Sequence, residues 1–125
     1  MNAPGATAMT HQYRAEDFAD LPKKALDALG VTLKDVSFPV NDTVFDLTEV
    51  HARGIGKFTA TPTNAAALLI GLVQQRCDYF TVMLADDGYE CCINRTEGTK
   101  GLVGVVRTSS LSAVLSAYAA ALEGK

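Results

Sequence analysis

The chain has 125 residues, of which 48% are hydrophobic and 20% charged, with a formal net charge of −3. A chain of this size buries roughly two-thirds of its surface on folding. Its Leu, Ile, Val and Phe content exceeds the roughly 20% below which chains tend to stay disordered. No apolar run approaches the roughly 18 to 20 residues of a membrane helix, and the first dozen residues lack the pattern of a signal peptide. A pI near 5.2 argues against a polyanion-binding surface. The expectation is a cytoplasmic protein with neither nucleic acid nor membrane as a partner. The charge is uneven: residues 1–50 carry four Lys or Arg against eight Asp or Glu, and the remainder seven against six.

Residues 1–12 have no periodicity and read as a disordered N-terminal tail, leaving 13–125 as one α+β domain. Leu21, Ala25, Leu26 and Leu29 recur at helical spacing, with Gly30 placed for a left-handed cap. Pro22 is tolerated only in a first turn, so this helix starts at Asp20 or Leu21, after a separate turn over Arg14 to Phe18. Val36, Phe38 and Val40 alternate around Pro39, predicting a short edge segment. Two strands follow, Thr43 to Val50 and Lys57 to Thr61, joined through the flexible His51 to Gly56.

A second helix spans Ala65 to Arg76, capped by Thr61 or Thr63. Its Leu68, Leu69, Ile70, Leu72 and Val73 nearly encircle the axis, and such a helix must be covered on more than one side. Tyr79 to Ala85 and Tyr89 to Arg95 flank Asp86-Asp87-Gly88, a candidate type I′ hairpin turn. With Asp87-Gly88 as the loop, Leu84 faces Cys91 and Val82 faces Ile93. A third strand, Leu102 to Val106, leads to a last helix capped by Thr108 or Ser109. That helix has an ordinary core stripe of Leu111, Val114, Leu115, Tyr118 and Leu122. Its back, including Ala113, Ala117 and Ala120, carries no charge before Glu123 and could meet another helix. The fold expectation is a single sheet of about five mainly antiparallel strands with helices packed on it, in the order α-β-β-α-β-β-β-α.

The chemistry is sparse. Cys77, Cys91 and Cys92 follow no zinc spacing, and two histidines cannot make a histidine-rich site. No metal and no cofactor are expected. No nucleophile elbow accompanies His51, so no catalytic residue is assigned; His51 with Cys92 is the pair to test first for enzymatic activity. Arg53-Gly54-Ile55-Gly56-Lys57 has the ingredients of a small anion nest, and also those of a plain hairpin connection. Arg95 and Arg107 end neighbouring strands and could converge. Arg53, Lys57, Arg95 and Arg107 thus form the alternative reading, a site for a phosphate-bearing ligand or nucleotide.

The strand, Asp86-Asp87-Gly88 turn, second strand, Gly-containing loop, Leu102-Val103-Gly104-Val105-Val106 and Ala-rich closing helix resemble the roadblock/LC7 domain over roughly a third of the chain. The Val36 to Val40 segment and the His51 to Gly56 connection are extra to that pattern. The resemblance implies a homodimer without an active site, acting as an adaptor or regulator of small GTPases. The outline is also similar to class I type III secretion chaperones, which implies a dimer that holds an unfolded client in an apolar groove beside the first helix. The leading expectation is a non-catalytic, homo-oligomeric protein-interaction module. It pairs with itself through Leu69, Val73, Ala113, Ala117 and Ala120 and presents a surface to another protein.

Overall fold

Pro22 stands directly before α1 (Lys23–Leu29), where its missing N–H costs no helical bond. A 3₁₀ turn over Ala15–Phe18 precedes it. Gly30 ends α1 at φ 73°, its N–H shared between the carbonyls of Asp27 and Leu26, the left-handed cap that the sequence predicts. The structure, a computed structural model, describes residues 13–95 and 102–123. The tail assigned to residues 1–12 lies outside them.

β1 (Val31–Asp35) leaves the Gly30 cap at once and pairs antiparallel with β4 (Thr48–Ala52), which pairs in turn with β5 (Gly56–Ala60). Val31, Thr48, Val50 and Ala52 turn inward and are buried. Thr32, His51 and Lys57 form one row of the outer face. The predicted strand from Thr43 to Val50 is two strands. Its first part, β3 (Thr43–Phe45), pairs with β2 (Phe38–Val40) in a separate two-stranded arm. At the tip of the arm Asn41 and Asp42 have φ of 49° and 57°, as the central pair of a type I′ turn requires.

α2 (Pro62–Gln74) opens on Thr61, whose Oγ1 accepts the Asn64 N–H at 3.2 Å. The third sheet has the order β6-β7-β8, built from Cys77–Ala85, Gly88–Arg95 and Val103–Arg107. Here Val82 pairs with Cys91, Leu84 with Tyr89 and Ala85 with Gly88. The loop is therefore Asp86-Asp87, two residues from the predicted register; the slip is even, so Val82, Cys91 and Ile93 keep the inward face, but Leu84, predicted to share it, is 71% exposed. Neither aspartate has a positive φ. Gly88 is needed both for its φ of 144° and because a Cβ there would collide with the Arg107 carbonyl oxygen of β8.

The last helix, α3 (Ser110–Glu123), starts after Ser109, whose Oγ accepts the Ser112 N–H at 3.1 Å. One side of α3 packs on β7 and β8, and the other meets α2 and α1. α2 also reaches β4 and β5 of the first sheet and β6 of the third. Both helices are thus covered from more than one direction within one chain. The α+β class stands, but the single five-stranded sheet does not. Among the described residues there are eight strands in three antiparallel sheets, and the order is α-β-β-β-β-β-α-β-β-β-α.

Candidate functional site

The covered helices change which residues can meet a partner. Leu69, Val73, Ala113 and Ala117 are each 0% exposed in the single chain, and of the five predicted interface residues Ala120 alone is exposed. The reason is the sheet count: the expectation gave the helices one sheet to pack on, whereas two sheets and α1 share their surfaces. Burying such side chains stabilises the chain itself by roughly 1.5 to 3 kcal/mol for each large aliphatic.

The four cations of the ligand reading do not assemble. Arg53 follows β4 and Lys57 lies on β5, where it forms an ion pair with Glu49 at 3.6 Å. Arg107 pairs with Tyr89, six residues along β7 from Arg95, or about 20 Å at the usual strand rise. Antiparallel pairing sets the end of one strand beside the start of the next, so two strand-terminal arginines are held apart. The Arg53 to Lys57 stretch is a hairpin connection: the Ile55 N–H donates to the Ala52 carbonyl at 3.0 Å. A cleft of about 520 Å³ beside it is lined by Asp27, Gly30, Val31, Thr32, His51 and Arg53.

His51 is on the first sheet and Cys92 on the third. Cys91 is fully buried, and that burial, with smaller contributions from Cys77 and Cys92, pushes its thiol up to about 12. The Cys77 thiol donates to the Val73 carbonyl at 3.2 Å. Among the described residues, no group of three or more His, Cys, Asp or Glu could hold a metal ion, and no helix is long and apolar enough to cross a membrane.

An apolar cleft of about 430 Å³ lies between the 3₁₀ turn, α1 and β1, lined by residues that sequence reasoning assigned to no site. Phe18, Leu26 and Leu33 line it, each half-buried, with Ala15 and Ala19. Its floor includes Thr48, whose buried Oγ1 has no hydrogen-bond partner among the described residues. Glu16, Lys34 and Asp35 stand at its rim, and a smaller hollow containing Arg14 and Asp46 adjoins it through Ala15, Glu16 and Asp35.

The β2–β3 arm leaves the body at this rim. Ser37 fixes its base: the Ser37 N–H and hydroxyl both donate to Asp35 Oδ1, at 2.9 and 2.5 Å, and the Leu47 N–H donates to Ser37 Oγ at 3.1 Å. Those two bonds hold the exposed Asp35 carboxyl below its ordinary pKa. Beyond the base every arm residue is exposed. Phe38 stacks on Phe45 with ring centroids 5.9 Å apart, and Phe38, Val40, Val44 and Phe45 are each between 42 and 63% exposed. The sequence did carry a signal for the cleft, since Leu26 and Leu33 are apolar residues beside a short helix, but only the Gly30 corner brings them together. No protein family, curated protein or solved structure matches this chain.

Proposed function

We propose that the protein is a non-catalytic interaction module that holds an extended, apolar segment of a partner protein in the cleft beside its first helix. The observation that carries this reading is the cleft: three large apolar side chains, Phe18, Leu26 and Leu33, line an open trough. An extended peptide offers alternate side chains to the apolar wall. The exposed Phe38 and Phe45 of the arm extend the same apolar surface outward. Around it Glu16, Asp35 and Asp46 outnumber Lys34 and Arg14 by one charge, and Arg14 already pairs with Glu16 at 3.6 Å and Asp46 at 3.9 Å, so the preference for a segment with basic flanks is weak. The cleft beside the first helix supports the client-holding behaviour implied by the likeness to class I type III secretion chaperones more than the roadblock-like adaptor. The expectation of self-association through Leu69, Val73, Ala113 and Ala117 drew on uncovered faces of the second and third helices, and in this fold those four residues are buried within one chain.

The test is fluorescence anisotropy with a panel of short peptides that alternate Leu and Thr, carry Lys at both ends and vary in apolar spacing. Saturable binding is expected for part of the panel, with Leu26→Arg and Leu33→Arg weakening it at least tenfold, the order expected for losing a buried apolar contact of about 1.4 kcal/mol or more. A panel without saturable binding, or binding indifferent to both substitutions, would refute the reading.

A further inference from the structure

β1 is an edge strand: the first sheet has the order β1-β4-β5. Its ladder to β4 is bonded at both ends through even-numbered residues. The Arg53 N–H donates to the Gly30 carbonyl and the Val36 N–H to the Leu47 carbonyl, each at 2.9 Å. Antiparallel neighbours alternate between bonded and non-bonded pairs, so in the unbroken register Thr32 and Lys34 are the residues bonded to β4. Leu33 and Asp35 then turn their N–H and C=O groups to the open side, where neither meets a backbone partner among the described residues.

The arm carries the same edge onward, and there the edge is closed. Ser37 and Pro39 are the next outward-facing residues, since the register continues with Phe38 paired to Phe45. The Ser37 N–H is taken up by Asp35 Oδ1, and Pro39 has no N–H to offer. The open stretch is thus confined to β1. It also coincides with the apolar cleft. Leu33, Lys34 and Asp35 are consecutive, and all three line it. Successive strand side chains point to opposite faces, so the cleft follows the edge of β1 and does not merely cover one face of the sheet.

Given the proposed function, on which this inference rests, we infer that the partner segment is bound as an added strand, its backbone paired with the outward N–H and C=O groups of Leu33 and Asp35. Every second side chain of the segment then faces the Phe18 and Leu26 wall. Backbone pairing supplies affinity, and the wall selects the alternate side chains. A second copy of β1 does not fit, because its own edge is walled by Phe18 and Leu26 and the two walls would meet. The occupant is a segment with both flanks free, at least about three residues long, to match the roughly 10 Å from Leu33 to Asp35.

Amide hydrogen exchange followed by NMR tests it, on the full chain alone and with a saturating binder from the Leu and Thr peptide panel. In the free chain the Leu33 and Asp35 amides should be about tenfold or more less protected than those of Thr32 and Lys34, and the peptide should remove most of that difference. N-methylation of the peptide, one residue at a time, should weaken binding roughly tenfold at every second central position and little at those between. Leu33 and Asp35 amides already protected in the free chain, or protected by raising the protein concentration alone, overturn the inference. Saturable binding that leaves both amides unprotected, or N-methyl losses without a two-residue period, also overturns it while the proposed function stands. A panel without a binder removes the proposed function, and the added strand with it.

Discussion

The Tyr13 phenol joins the start of the described chain to the N-terminus of α3: it shares a hydrogen bond with the buried Ser110 Oγ and accepts the Leu111 N–H at 3.0 Å. A second bond, from the Tyr13 N–H to Thr63 Oγ1 at 3.0 Å, ties the same residue to the first turn of α2. The two helices thus have their N-termini held by one side chain and its backbone.

Tyr13→Phe keeps the ring and removes only the hydroxyl. The Leu111 amide, one of the orphan donors of a helix start, then loses its partner in a buried setting, as does Ser110. Urea denaturation should show a loss of about 1 to 3 kcal/mol, the cost of leaving buried polar groups unsatisfied. A loss below about 0.5 kcal/mol, the scale of an ordinary surface substitution, would show that the phenol holds nothing together.

Gly30 and Arg53 form the second long-range corner. Gly30 is at φ 73°, its carbonyl accepts the Arg53 N–H at 2.9 Å, and an added Cβ would meet Arg53 Cβ at 2.8 Å and Nε at 2.9 Å. Gly30→Ala should cost roughly 1 to 2 kcal/mol for the left-handed backbone, and more for the collision. In a double-mutant cycle Arg53→Ala removes Nε but leaves Cβ, so it should recover part of the collision and none of the backbone cost. Strict additivity of the two substitutions would mean that the side chains do not meet.

Much of this was readable locally and little of it globally. The Gly30 cap, the Thr61 cap and the inward face of the β6–β7 hairpin follow from residue types within a few positions of each other. Asp-Gly favours a left-handed turn pair at Asp87-Gly88, whereas the structure has that pair at Asn41-Asp42. Gly88, itself at φ 144°, also answers to a carbonyl of β8, a contact that no local pattern encodes. β1 could have been read from Val31 and Leu33 alternating with Thr32 and Lys34, but a strand starting immediately after a helix cap leaves no loop to announce it. Once β1 was missed, the first sheet had too few strands, and the coverage of α2 and α3 could not be derived. The apolar cleft depends on the same corner, since it sets Leu33 opposite Leu26.

Asp35 gives the molecule a pH response confined to the base of the arm. Two hydrogen bonds from Ser37 lower its pKa in the folded state, whereas the unfolded value is about 3.9. A depressed carboxylate contributes stability that is fully present above the unfolded pKa and is lost as pH falls through the folded one. The anchor should hold at neutral pH and release only in acid below about 3.9. A carboxyl NMR titration should place the Asp35 midpoint under that of an unstructured aspartate, and Ser37→Ala should return it toward the ordinary value. A wild-type midpoint at or above the ordinary value would contradict the hydrogen bonding described.

Ala117 and Ala120 lie three positions apart on α3 and look equivalent in sequence, yet Ala117 is fully buried and Ala120 is exposed. The difference arises because α1 and α2 cover the helix back that the charge pattern left open. Ala117→Leu adds three carbons where α3 is enclosed, and overpacking of this kind costs typically about 1 to 3 kcal/mol. Ala120→Glu places a charge in water on a helix surface and should change stability by no more than about 0.5 kcal/mol. Thermal or chemical denaturation of the two variants at a concentration where the chain is monomeric separates the alternatives. If Ala117→Leu were silent, or Ala120→Glu the more damaging of the two, the enclosure of α3 within one chain would be wrong, and its alanine face would again need a partner to cover it.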